Sequence, residues 1–137
     1  MFDVNVGGVL NGLGSFVPLL LDRPAPSTLL ITASLAGLTT WPMGGVYGAS
    51  KHAVVAIAEQ AALELDDSQI TVSVLCPALV RTGMSPEGED SLVVVETALD
   101  AVDAGQFTIV SDEWHAAIRE RFETLISGRR PRLPRMS

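Results

Sequence analysis

Apolar residues fall in blocks along this chain, and the length and spacing of the blocks predict its elements. Phe2-Asp3-Val4-Asn5-Val6 alternates apolar and polar positions as a short strand would. After the glycine-bearing stretch 7-GGVLNGLGSF-16, the run 16-FVPLLL-21 continues apolar, and the proline-rich turn 22-DRPAPS-27 must end any helix. The segment 28-TLLITAS-34 is almost continuously apolar between turn residues, the pattern of a strand buried on both faces. Loop residues follow from Leu35 to Gly45. From Val46 to Leu65 no proline interrupts a segment rich in Ala, Val, Ile and Leu, which predicts a long helix. Nothing polar lies between His52 and Glu59, so that helix is expected to be covered on more than one side.

The second half repeats the alternation. Asp66-Asp67-Ser68 turns the chain into 70-ITVSVLC-76, an alternating strand that Pro77 stops. The acidic loop 85-SPEGED-90 leads to a helix from Ser91 to Ala104, closed by Gly105. The run 107-FTIV-110 reads as a last strand, after which Ser111 and Asp112 are placed to cap a final amphipathic helix to about Ile126, with Gly128 beyond it. Helices alternating with strands predict an α/β fold: parallel βαβ units, about three strands, with helices on both sheet faces. Residues 1–128 read as one unit and 129–137 as a basic, flexible tail.

Composition narrows the partners. With 47% hydrophobic and 18% charged residues the chain is globular, and no apolar run is expected to reach the roughly 20 residues of a spanning helix. A soluble, cytoplasmic protein with no membrane or nucleic-acid partner is expected. The net charge of −7 supports this, because residues 1–128 carry five basic groups against sixteen acidic ones. Four of the nine basic residues, Arg129, Arg130, Arg132 and Arg135, crowd the last nine positions, where they form either a loosely ordered end or a clamp for an acidic partner. The single Cys76 ends an apolar run and reads as a buried thiol, and no Cys/His cluster has metal-ligand spacing.

The sharpest chemical feature is 47-YGASK-51. Tyr47 and Lys51, four residues apart at the start of the long helix, share a face about 6 Å apart along the axis. A phenol titrates near 10, and a fixed ammonium beside it favours the phenolate, which makes the pair a proton-transfer device. The spacing alone is common. It gains weight because Ser34 closes the preceding strand, and the carboxyl ends of strands are where open α/β sheets build their sites.

Four segments in order then resemble the short-chain dehydrogenase/reductase family: Asn5-Val6 with Gly8, Ala33-Ser34 with Gly37, Tyr47-Gly48-Ala49-Ser50-Lys51, and Pro77 with Val80, Thr82 and Met84. The resemblance implies part of a Rossmann-like doubly wound parallel sheet and an NAD- or NADP-dependent oxidoreductase. Such an enzyme would move hydride between the nicotinamide and a secondary alcohol or ketone. Tyr47 would be the acid/base, Lys51 would lower its pKa and bind the nicotinamide ribose, Ser34 would orient the substrate oxygen, and Asn5 would hold a water linking Lys51 to solvent. Pro77, Ala78, Val80 and Thr82 would hold the carboxamide. Ala78 stands where the family usually has glycine. Trp41 and Met43, in the loop before Tyr47, imply an apolar substrate, and the helices at 5–21 and 46–65 would pair in a homo-oligomer.

The glycines of 7-GGVLNGLGSF-16 suggest a phosphate loop, but the next strand ends at Ser34 with no acidic residue, so they read instead as helix glycines suited to close packing. The family's glycine loop and the strand-end residue that chooses NAD or NADP are expected to lie outside this sequence, which leaves that choice open. The same expectation motivates an alternative, a truncated remnant that packs or oligomerises without turnover. His52 and His115 are expected to be solvent-facing or packing residues.

Overall fold

Three short parallel strands set the frame in the computed structural model, which describes residues 1–83 and 85–133. Met84 and Arg135, both named above, lie outside the described residues, as does the end of the basic tail. Strand β1 (Ser27–Thr32) pairs with β2 (Ile70–Leu75) over six positions from Ser27↔Ile70 to Thr32↔Leu75, and β2 pairs on its other side with β5 (Thr108–Ile109). The order β1-β2-β5 puts β2 in the centre. It also explains the burial: Val72, Ser73 and Val74 are buried in β2, whereas β1 alternates and buries only Ile31. The prediction of a strand buried on both faces at 28–34 therefore fails, because β1 is an edge strand here, with Leu30 38% exposed.

Helix α1 (Gly8–Leu21) is preceded by a π-helical turn over Asp3–Gly7, so the strand-like alternation at residues 2–6 is overturned. Alternation over five residues is too short to compete with continuation of a 14-residue helix. Together the two make a span from Asp3 to Leu21 that is, by length and composition, long and apolar enough to cross a membrane, contrary to expectation. Its inner side, Val6, Val9, Leu13, Val17 and Leu20, packs against the core of this chain. Gly12 and Gly14 are helix glycines as expected, but nothing within 4 Å meets the position of a Cβ, so they mediate no close packing within the chain.

Helix α2 (Gly45–Glu64) supplies most of the core. Val54, Val55, Ala58 and Ala61 meet Ile31, Ile70, Val72, Val74 and Cys76 of the sheet. Val46, Ala56 and Leu63 face outward, so the helix is covered on one side, not several. Helix α3 (Ser91–Asp103) ends before Gly105, whose φ of +73° suits the residue past a helix end. Between β2 and α3 lies a pair of two-residue strands, β3 (Val80–Arg81) and β4 (Glu89–Asp90), the second of them at the end of what reads in sequence as the acidic loop 85–90. Helix α4 (His115–Ile126) follows a 3-10 turn over Asp112–Trp114. Ser111 makes no capping bond; its hydroxyl points to Glu113 at 3.4 Å because the 3-10 turn intervenes.

Candidate active site

The site forms where β1 and β2 end. Parallel pairing brings both carboxyl ends to one edge, and the backbone continues the ladder past the strands: Ala33 N–H donates to Leu75 O at 2.8 Å and Leu35 N–H to Pro77 O at 2.9 Å. Ser34 sits between those two bonds. It lies two residues beyond β1 and does not end it; extended, it caps a 3-10 turn over Leu35–Gly37, its Oγ accepting from Ala36 N–H at 3.2 Å. Ser34 is thus buried and held beside Pro77.

Gly37 brings the turn against α2. A Cβ at this position would stand 2.6 Å from the Lys51 carbonyl oxygen and 2.8 Å from Val55 Cγ2, closer than any side chain tolerates. The turn carrying Ser34 therefore lies on the backbone of the helical turn that carries Lys51. Tyr47 and Lys51 share a face as the spacing predicts: Lys51 Nζ lies 5.8 Å from the centroid of the Tyr47 ring. The Tyr47 side is open, with the residue 42% exposed.

Asn5 reaches the site from the π-helical turn, donating from Nδ2 to Ser50 Oγ at 3.0 Å. Ser50 is fully buried and donates in turn to the Tyr47 carbonyl at 2.7 Å. Ser50 is the residue that sequence reasoning passed over, although it stands inside the quoted 47-YGASK-51. A serine among apolar helix positions was the available signal. Asn5 is thereby tied to the backbone of the Tyr47 turn through one hydroxyl.

Cys76, buried as expected, gathers the same neighbourhood. Burial pushes its thiol up to about 11, against smaller pulls downward from a hydrogen bond with the Ser34 backbone and from the charge of Lys51. Pro77, Ala78 and Leu79 border a cavity of about 610 Å³ that also reaches Cys76, Glu89 and Trp114. Among the described non-glycine residues only Met43 has a positive φ, so alanine in place of glycine at position 78 introduces no backbone strain. Val80 forms β3 with Arg81, and Thr82 exchanges backbone hydrogen bonds with Ser85.

The loop before Tyr47 is anchored through its indole. Trp41 Nε1 donates to Thr39 Oγ1 at 2.8 Å, and the ring meets Trp114 edge-on with centroids 6.0 Å apart. Met43 is fully exposed. A second cavity of about 320 Å³ lies between this loop, α2 and Arg121. His52 packs beneath it, with Nδ1 bonded to Gly48 O at 2.9 Å, and His115 is exposed beside Asp112. Among the described residues no cluster of His, Cys, Asp and Glu could hold a metal ion.

Comparison with known proteins bears on the same residues. A family described as short chain dehydrogenase matches residues 1–92. The chain is 37% identical over 127 residues to 1-deoxy-11-beta-hydroxypentalenate dehydrogenase of Streptomyces avermitilis, covering 89% of this chain and 44% of that protein. It is 30% identical over 104 residues to the (S)-acetoin-forming diacetyl reductase of Staphylococcus epidermidis, covering 76% of this chain and 40% of the relative. In structure it resembles a short chain dehydrogenase/reductase from Burkholderia phymatum solved in complex with NAD, with TM-score 0.88 and 28% identity over 98% of this chain and 60% of that one. The chain spans less than half the length of these two sequence relatives.

Proposed function

From the premise that this chain belongs to the short chain dehydrogenase family, we propose that it carries the proton-transfer and nicotinamide-side residues of an NAD(P)-dependent oxidoreductase acting on a secondary alcohol or ketone. The observation that supports the reading is the seating of the Ser34-bearing turn, at Gly37, on the helical turn of Lys51, with Lys51 Nζ 5.8 Å from the centroid of the Tyr47 ring. The Burkholderia phymatum protein binds NAD; for this chain the choice between NAD and NADP stays open.

Each residue has a task in that chemistry. Tyr47 exchanges a proton between its phenolic oxygen and the carbonyl or alcohol oxygen of the substrate. Lys51, along the same helix face, stabilises the phenolate and hydrogen-bonds the nicotinamide ribose. Ser34 donates to the substrate oxygen and fixes its orientation. Asn5 holds the start of α2 through Ser50, which supports a water on the Lys51 side. Pro77, Ala78, Val80 and Thr82 form the backbone and hydroxyl cradle for the carboxamide. The nicotinamide, when bound, supplies or accepts the hydride. The indole of Trp41 gives the substrate side an apolar wall, so an apolar ketone is preferred.

The experiment is reduction of small apolar ketones by NADH or NADPH, measured on the chain alone and on the chain mixed with the amino-terminal segment of the diacetyl reductase. Tyr47→Phe should lower turnover by roughly 10²–10⁴-fold. Unchanged turnover in that variant would sink the assignment.

A second reading, a protein that self-associates or packs without turnover, is favoured by the open edge of β1 and the exposed Leu30 on it. Concentration-dependent association in the absence of any NAD(H) binding would select it. In either reading α1 and α2 are the surfaces for a homo-oligomer.

A further inference from the structure

We propose that Arg81, Gly88 and Asp90 form a clasp that presets the segment from Ala78 to Thr82, with Asp90 a positioning residue acting through Arg81; this rests on the reading of that segment as the carboxamide cradle. The segment leaves the sheet at Pro77 with no helix or long strand to define its path. Its path is set by the returning chain instead. Val80↔Glu89 and Arg81↔Asp90 pair in parallel, and Glu89 N–H donates to Leu79 O at 3.0 Å.

Gly88 makes the return possible. Its φ is +107°, and a Cβ there would stand 2.3 Å from the Leu79 carbonyl oxygen and 2.9 Å from Val80 N, so only glycine lets the two backbones approach. Asp90 then divides its carboxylate. Oδ2 accepts from Arg81 Nη2 at 2.7 Å, and Oδ1 accepts from Leu92 N–H at 2.9 Å as the cap of α3. One side chain thus joins the cradle to the start of a 13-residue helix. The Arg81 hydrogen bond, followed by that of the Leu92 amide, holds the Asp90 carboxyl below the usual carboxylate range.

The two tasks of Asp90 separate by substitution. Asp90→Asn keeps an oxygen for the Leu92 amide, since asparagine is as good a helix cap, but loses the charge pair. Both partners are solvent-exposed, so the effect is modest. In the full chain, hydrogen exchange at the Glu89 amide should quicken about two- to fivefold in Asp90→Asn, with the Leu92 amide unchanged, and the NADH dissociation constant should rise by a similar factor. Arg81→Ala should do the same, and the double variant no more than either single one. Faster Glu89 exchange with unaltered NADH affinity, or no change in exchange, overturns the positioning role alone. Effects that add in the double variant overturn it too. A wild-type chain that shows no NADH binding overturns the cradle role together with the reading beneath it.

Discussion

Helices α1 and α2 are built from similar residues and meet opposite fates. Helix α1, with Val, Leu and Phe through most of its length, has no buried residue; α2, longer and richer in alanine, buries Ser50, Val54, Val55, Ala58 and Ala61. The difference lies in what each helix can approach. Small residues let α2 settle on the sheet and on the Gly37 turn, whereas α1 presents one side to the core and leaves Leu10, Phe16 and Leu19 in solvent. Apolarity alone does not place a helix in the core. The candidate chemistry rides on the helix that is fixed from inside, which gives Tyr47 and Lys51 a rigid base.

The contrast can be broken from its fixed side first. Gly37→Ala forces the 3-10 turn off α2 and should destabilise the chain by about 1–3 kcal/mol in denaturant unfolding, the usual cost of overpacking. A variant as stable as the wild type would show that the contact is slack. Alkali should act next. The raised thiol of Cys76 favours its protonated form in the folded chain, so its contribution is complete below the unfolded value near 9.0 and is lost as pH rises towards about 11. The loss is on the order of 2 kcal/mol. Unfolding midpoints between pH 8 and 11 check this, and Cys76→Ser should flatten that part of the profile. The smallest effect belongs to the open helix. Phe16→Ser should change stability by less than about 0.5 kcal/mol. It should nonetheless weaken self-association in sedimentation; an unchanged sedimentation profile would remove α1 from the interface.

Much of this was legible in the sequence for physical reasons that differ by element. The 3.6-residue period placed Tyr47 and Lys51 on one face, and proline and glycine marked the ends of α1, β2 and α3. Cys76 was readable as buried from its apolar run. The strand ending at Ser34 was misplaced because continuous apolarity resembles a central strand, while pairing here leaves β1 at an edge. The β3–β4 pair was invisible, since two-residue strands carry no period. Contacts between distant residues were invisible too. Nothing in the spacing joins Asn5 to Ser50, 45 positions away, or Trp41 to Trp114. Local pattern sets elements, and the site's supporting shell is assembled only by tertiary contact.

The most direct test is a titration of the chain with NADH followed by nicotinamide fluorescence, alongside Lys51→Met. Saturable binding in the wild type that weakens at least about tenfold in Lys51→Met would meet the expectation for a charged ribose ligand in the site. Absence of saturable binding, or equal affinity in the two proteins, would contradict it.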